Sequence, residues 1–191
     1  MELSPTAYVI LGMLRHGERS GYEIKQVVDH STRFFWAASY GQIYPELRKL
    51  AKAGLLEGTS KPQGGRKRTV YRLTDAGRRE LREWLTDDPE VLEIRDEALL
   101  KLFFADAVEP GRAAEIVDAK RRLHERKLEL LREIEPVAQA QAERDPYPHL
   151  VLRYGLAFNQ WIVDWCEQAR AELAGADDRD SGKRRRKSDA R

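Results

Sequence analysis

Apolar residues recur along the chain at helical spacing, and polar caps mark where each run begins. Ala7, Ile10, Leu11 and Leu14 fall at i, i+3, i+4 and i+7 behind Ser4-Pro5, an N-cap with proline at the first helical position. A helix is predicted there, ending near Gly17. Ser20 opens a second, with Ile24, Val27 and Val28 on one face and an end near Ser31. Ser39 caps a third, in which Gln42 completes a capping box and Ile43, Leu47 and Leu50 face inward. Pro45 is tolerated near its first turn, and Gly54 ends it. Residues 55–60 and 69–73 read as two short strands around the turn Pro62-Gln63-Gly64-Gly65. Thr74 then caps a helix carrying Leu81, Trp84 and Leu85 on one face.

After Asp87-Asp88-Pro89, which reads as a linker, the pattern is helical throughout. Residues 95–107 are apolar on several sides, through Leu99, Leu100, Leu102, Phe103 and Phe104, and are expected to be buried. Pro110 opens a long helix to about residue 142, with Ile116, Leu123, Leu130 and Val137 every seventh position. Pro146 and Pro148 break it. A last helix over about 150–174 places Val151, Tyr154, Phe158, Trp161 and Trp165 at steps of 3, 4, 3 and 4, a heptad seam. Residues 176–191 are charged and aperiodic, and are expected to form a disordered basic tail.

Charge divides the chain in the same places. Residues 1–86 carry 15 Lys/Arg against 9 Asp/Glu, whereas residues 87–175 carry 12 against 19. A basic N-terminal part beside an acidic middle suggests that only the first meets a polyanion. A helix followed by a basic two-stranded ribbon and a second helix is the arrangement of a winged helix on duplex DNA. The third helix offers Ser39, Tyr40, Gln42, Tyr44, Arg48 and Lys49 as candidate contacts. Gln42 suits adenine, and Arg48 and Lys49 suit guanine or phosphate. The ribbon offers Lys61, Gly65, Arg66, Lys67 and Arg68 for phosphates, with the glycines allowing close approach.

Ser20-Gly21-Tyr22-Glu23-Ile24, Gly41-Gln42-Ile43-Tyr44-Pro45 with Leu47 and Leu50, Gly54-Leu55, and Arg68 with Tyr71, Leu73-Thr74 and Gly77 together resemble the PadR-type transcriptional regulators, with Trp84-Leu85 closing the match. Glu97 to Phe104 more loosely resembles the start of the helical, virulence-activator-like C-terminal domain of that family's longer branch. The resemblance implies a winged helix-turn-helix, a homodimer and double-stranded DNA with an inverted-repeat operator. It also places Tyr22 and Tyr44 in the family motif; Tyr22 is expected to pack against the third helix.

The expected architecture is mainly α with a small two-stranded β-wing. It comprises a winged helix-turn-helix DNA-binding domain over 1–86, a helical dimerisation and effector domain over 87–175, and the tail over 176–191. The seam of Val151, Tyr154, Phe158, Trp161 and Trp165 is the expected dimerisation surface. Ring density suggests a small aromatic effector between the two domains, at Trp36, Phe103, Phe158 and Trp161. The tail's Lys183 to Lys187 run reads as a DNA tether or a solubilising segment. His16, His30, His124 and His149 lie far apart without metal or catalytic spacing, and Cys166 is alone, so no enzyme, cofactor, metal or disulfide is expected. No leader or membrane span is read, which fits a cytoplasmic protein. The expected function is a repressor released by its effector. An activator of the same fold, or an adaptor that binds protein instead of DNA, are the alternatives.

Overall fold

The computed structural model describes residues 3–63, 66–89, 95–109 and 111–188, and, of 62, 63, 66, 67 and 176–188, the backbone alone. The chain divides into two compact units, Met1–Val91 and Leu92–Arg191.

The first unit runs α1 (Pro5–Met13), β1 (Arg19–Ser20), α2 (Gly21–Asp29), α3 (Tyr40–Lys52), β2 (Leu56–Gln63), β3 (Arg66–Leu73) and α4 (Asp75–Thr86). The caps act where the sequence places them. Ser4 Oγ accepts from the Ala7 amide at 3.2 Å, and Thr74 Oγ1 from the Gly77 amide at 3.1 Å. Ser20 and Glu23 form a capping box, with Glu23 Oε2 accepting from the Ser20 amide at 2.8 Å. Helix α3 ends in a Schellman motif: Leu55 N–H donates to Leu50 C=O at 3.0 Å and Gly54 N–H to Ala51 C=O at 3.1 Å. Gly54 sits at φ +72°, where a side chain is strained. One core gathers Ile10 and Leu14 of α1, Ile24 and Val28 of α2, and Ile43 and Leu47 of α3, all essentially inaccessible.

The sheet has three strands, in the order β1-β3-β2, where the sequence predicts two. Strand β1 pairs Arg19 with Tyr71 and Ser20 with Val70. Two residues are too few to show period-2 alternation, so only their tertiary pairing reveals them. The hairpin is also longer than expected. Strands β2 and β3 pair from Leu56↔Leu73 out to Gln63↔Arg66, taking Pro62 into β2. Proline is accommodated because β2 is an edge strand.

The second unit holds α5 (Glu97–Phe103), α6 (Arg112–Gln141) and α7 (Pro146–Ser188). Asp96 caps α5, accepting from the Ala98 and Leu99 amides at 3.0 and 3.2 Å. Helix α7 begins at Pro146, in whose first turn proline costs little, and not near residue 150. It continues to Ser188, so the backbone of 176–188 is helical where composition predicts disorder. Adding residues to an existing helix avoids the cost of nucleation, and Ala, Arg and Lys are good helix formers.

Two expectations about packing are corrected. Helix α5 is not buried on several sides: Leu102 joins the core of the unit, while Phe103 is 80% and Leu100 60% exposed. A seven-residue helix resting on one neighbour can cover only one face. The heptad stripe of α6 is likewise outside the core. Val117, His124, Leu128 and Leu131 are the buried positions, and Leu123, Leu130 and Val137 are exposed. On α7, Leu152, Asn159, Ile162 and Cys166 face inward, whereas Val151, Tyr154, Phe158 and Trp161 remain exposed. Trp165 departs from its seam and packs against Val117, Ile162 and Cys166. Each long helix thus carries two apolar stripes, an inner one used within the unit and an outer one left open.

Candidate nucleic-acid interface

The Ser39 cap starts α3 at Tyr40, and the burial of Ile43, Leu47 and Leu50 turns its opposite face outward. Ser39, Tyr40, Gln42, Tyr44, Arg48 and Lys49 are all exposed there. Tyr40, Tyr44 and Arg48 lie at i, i+4 and i+8, one line along the helix. Tyr22 of α2 joins them. Its ring stacks on Tyr40 with centroids 6.4 Å apart, and Tyr40 stacks on Tyr44 at 6.2 Å. Lys25 Nζ stands 5.4 Å from the Tyr40 centroid, a cation–π contact. Tyr22 is packed against α3 as expected, yet it stays 55% exposed. The outcome is a ladder of three phenols with a cation on it, open along one side.

Gly21 makes the ladder possible. A Cβ there would lie 2.7 Å from Tyr44 Cε1 and 3.1 Å from Leu47 Cδ1. The start of α2 therefore seats directly beneath the Tyr44 ring. Gln42 is more constrained than its candidate role assumes. Its Oε1 accepts from the Ser39 amide at 2.9 Å, so one half of the side-chain amide closes the helix end. A bidentate contact to adenine needs both halves. Lys49 is highly exposed, but its Nζ stands 3.4 Å from Glu46 Oε2.

The wing is also partly committed. Lys61 pairs with Glu18, and Arg68 pairs with Glu23. Arg72 pairs with Glu57 at 2.6 Å. The hydrogen bond from Arg68, followed by that from the Ser20 amide, holds the Glu23 carboxyl at about 2 against its ordinary 4.5. Arg68 thereby ties β3 to the first turn of α2, a fastening that sequence spacing does not reveal. Arg66 and Lys67 belong to the tip of β3 by their backbone, and their side chains, with Gly65, lie outside the described residues.

In the second unit, polar groups interrupt the inner seam. Asn159 Nδ2 donates to Gly155 C=O at 2.7 Å, which turns its Oδ1 toward His124 Nδ1, also at 2.7 Å. Burial, reinforced by the Lys127 and Lys120 charges, depresses the His124 pKa and outweighs the Asn159 hydrogen bond. Lys120, also buried, pairs with Asp96 and so fastens α6 to the start of α5. Burial would raise the Asp96 pKa, but Lys120 and the two amides it caps hold it below the usual value. Beside these groups lies a cavity of about 780 Å³ with Ile116, Leu123, Phe158 and Ile162 among its walls. Of the candidate effector residues, Phe158 lines this cavity; Phe103 and Trp161 are exposed on the same unit, and Trp36 is exposed on the other. The charged lining was missed from the sequence because its members come from two separate segments, the start of α5 and the length of α6, with α7 adding only Phe158 and Ile162.

Among the described residues no group of His, Cys, Asp or Glu is placed to hold a metal ion, and no helix is long and apolar enough to cross a membrane. Cys166 is buried, which pushes its thiol pKa up and away from the reactive thiolate.

Residues 10–83 match the model of the transcriptional regulator PadR-like family, and residues 94–174 that of the virulence activator alpha C-terminal region. The negative transcriptional regulator PadR of Bacillus subtilis is 32% identical over 176 residues, spanning 87% of this chain and 96% of its own. The crystal structure of that protein in complex with operator DNA superposes with a TM-score of 0.80 at 32% identity, covering 87% of this chain and 98% of the other. Its complex with p-coumaric acid superposes at 0.74 and 31%, covering 91% and 99%. The winged-helix fold, the helical second unit and these matches have one reading: the chain belongs to the PadR-like family of transcriptional regulators.

Proposed function

We propose that the protein is a cytoplasmic homodimer that binds an inverted-repeat operator in double-stranded DNA and represses transcription until a small aromatic effector releases it. The observation that carries this reading is the exposed face of α3, where Tyr40, Tyr44 and Arg48 line up beside Tyr22 on the same family fold that a 32%-identical relative uses on operator DNA. In this reading α3 enters the major groove, and Arg66 and Lys67 of the wing hold the flanking phosphates. The open outer stripes of α6 and α7 support the dimer, because a twofold axis lets one such surface cover its own copy. Repression follows the Bacillus relative, whose name is that of a negative regulator, and the effector follows its p-coumaric acid complex.

The test is a gel shift on the DNA upstream of the protein's own gene, at several salt concentrations. Specific, salt-dependent binding is expected, and Tyr44→Ala should abolish it. Absence of binding at low salt would leave the adaptor reading standing. A second reading, activation, is favoured by the match of residues 94–174 to a virulence-activator region. A promoter–reporter fusion in cells with and without the protein separates the two by the sign of the change.

A further inference from the structure

Helix α7 runs on past the residues that the family accounts for. The second family match ends at 174, and the backbone stays helical to Ser188. We propose that the basic run at this end, Lys183 to Lys187, is a second contact with duplex DNA, made to phosphates without regard to sequence. It goes beyond operator reading by α3 and the wing, and rests on that reading only for the comparison with operator made below.

Placement comes first. Leu173 packs against the core of the second unit. Lys183 stands ten positions further along the same helix, about 15 Å of rise. Between 176 and 188 the only apolar residue is Ala176. This stretch therefore has no apolar stripe with which to pack on the protein or to enter a lipid interface. Its acids, Asp177, Asp178 and Asp180, all precede the run, which is five consecutive cations. Five consecutive positions exceed one helical turn, so the run takes in every side of the helix.

Charge sets the class of partner. Lys183 is three and four positions from Arg186 and Lys187, and Arg184 is three from Lys187. Like charges at these spacings destabilise a helix. The dipole at the C-terminal end of α7 offsets part of that repulsion, and a polyanion offsets more while releasing its own counterions. Five cations over about 7.5 Å of helix meet a duplex that carries one charge per ~1.7 Å of axis, so the two charge densities are comparable. Duplex DNA is the polyanion that a regulator of this family engages.

The test is fluorescence anisotropy on a labelled random-sequence duplex of about 30 base pairs and on operator, from about 50 to 200 mM salt. All proteins are full length. One variant carries Lys183→Gln, Arg184→Gln, Arg185→Gln, Arg186→Gln and Lys187→Gln; glutamine is a good helix former, and far-ultraviolet circular dichroism checks that the helix remains. It is expected to bind the random duplex at least tenfold more weakly, with a salt slope lower by at least ~2 of the ~4.5 that five phosphates contribute per chain. A second variant, Arg184→Lys with Arg185→Lys and Arg186→Lys, should keep the parent slope, because the contact is one of charge. Unchanged affinity and slope in the glutamine variant would overturn the proposal, as would a lysine variant that falls equally far. Vesicles of equal parts phosphatidylcholine and phosphatidylserine are the other probe. Run-dependent binding to them that is tighter than to duplex would overturn DNA as the partner. A parent protein that binds operator no better than random duplex, with a slope still set by the run, counts against the regulator reading alone. A parent that prefers operator with a slope indifferent to the run counts against this proposal alone, and one that binds neither duplex overturns both.

Discussion

Single side chains in the first unit divide into those that hold the proposed reading surface and those that form it. Gly21 belongs to the first group. Replacing it with alanine forces the Tyr44 ring to move, since a Cβ would come within 2.7 Å of it. Gly21→Ala is expected to fold and to bind operator about tenfold more weakly, a loss of ~1.4 kcal/mol. Fluorescence anisotropy on labelled operator measures it, and parent affinity would separate Tyr44 from the contact. Arg68 belongs to the same group. Its partner Glu23 has a carboxyl pKa lowered to about 2, so the pair stabilises the folded state fully above 4.5 and loses that contribution as pH falls from 4.5 toward 2. Glu23→Gln should flatten the stability profile of the first unit across that window, as read by thermal denaturation at stepped pH. Arg68→Ala should flatten it too while leaving the salt slope of DNA binding near the parent value. Arg66→Ala should instead lower that slope by ~0.9, one phosphate contact.

Among the helices, the decisive distinction is between inner and outer stripes. A seven-residue repeat at 116, 123, 130 and 137 was legible in the sequence, as was the α7 seam. Which stripe packs inside the chain was not. The inner seam of α6 contains Lys120 and His124, polar residues that a hydrophobic pattern discounts, and they are accommodated only because Asp96 and Asn159 arrive from other helices. A partner distant in sequence leaves no local trace. The outer stripe makes its own prediction. Leu130→Glu lies on an exposed position, so the monomer should keep its melting temperature. If this face meets a second copy, the substitution buries a charge in the interface and shifts the protein to monomer at micromolar concentration. Sedimentation velocity gives the answer, and an unaltered dimer would place the interface elsewhere. His124 provides a pH test of the inner seam. Its lowered pKa means that neutral imidazole stabilises the fold above about 6.5 and that this contribution fades as pH falls below that value. Replacing it with glutamine should remove a loss of stability that sets in as pH falls below about 6.5.

The molecule as a whole was most legible where caps, turns and periodicity agreed. Helices α1 to α4 start at the capping residues Ser4, Ser20, Ser39 and Thr74, and the Gly54 terminus sits where the pattern ends. The Ser39–Gln42 cap was legible too, whereas the third strand and the ion pairs that engage Lys61 and Arg68 were hidden, because each depends on which residues approach after folding. Charge asymmetry holds for the whole chain: a net +6 over 1–86 and −7 over 87–175. The acidic part disfavours nonspecific contact with DNA, so shortening the chain to 1–86 should raise nonspecific affinity relative to operator affinity. Competition with unrelated DNA at fixed salt reads the ratio, and an unchanged ratio would remove the acidic unit from any role in selectivity.

Ile116, Leu123 and Phe158 have two memberships: they line the cavity, and they stand on the outer stripes of α6 and α7. If a second copy and a small effector both settle there, neither binding event is independent. By thermodynamic linkage, the factor by which the effector changes the dimer dissociation constant equals the factor by which dimerisation changes the effector's own. Sensitivity to the ligand then depends on how much protein a cell holds, and titrations at two protein concentrations either side of the dimer constant should yield two different apparent affinities.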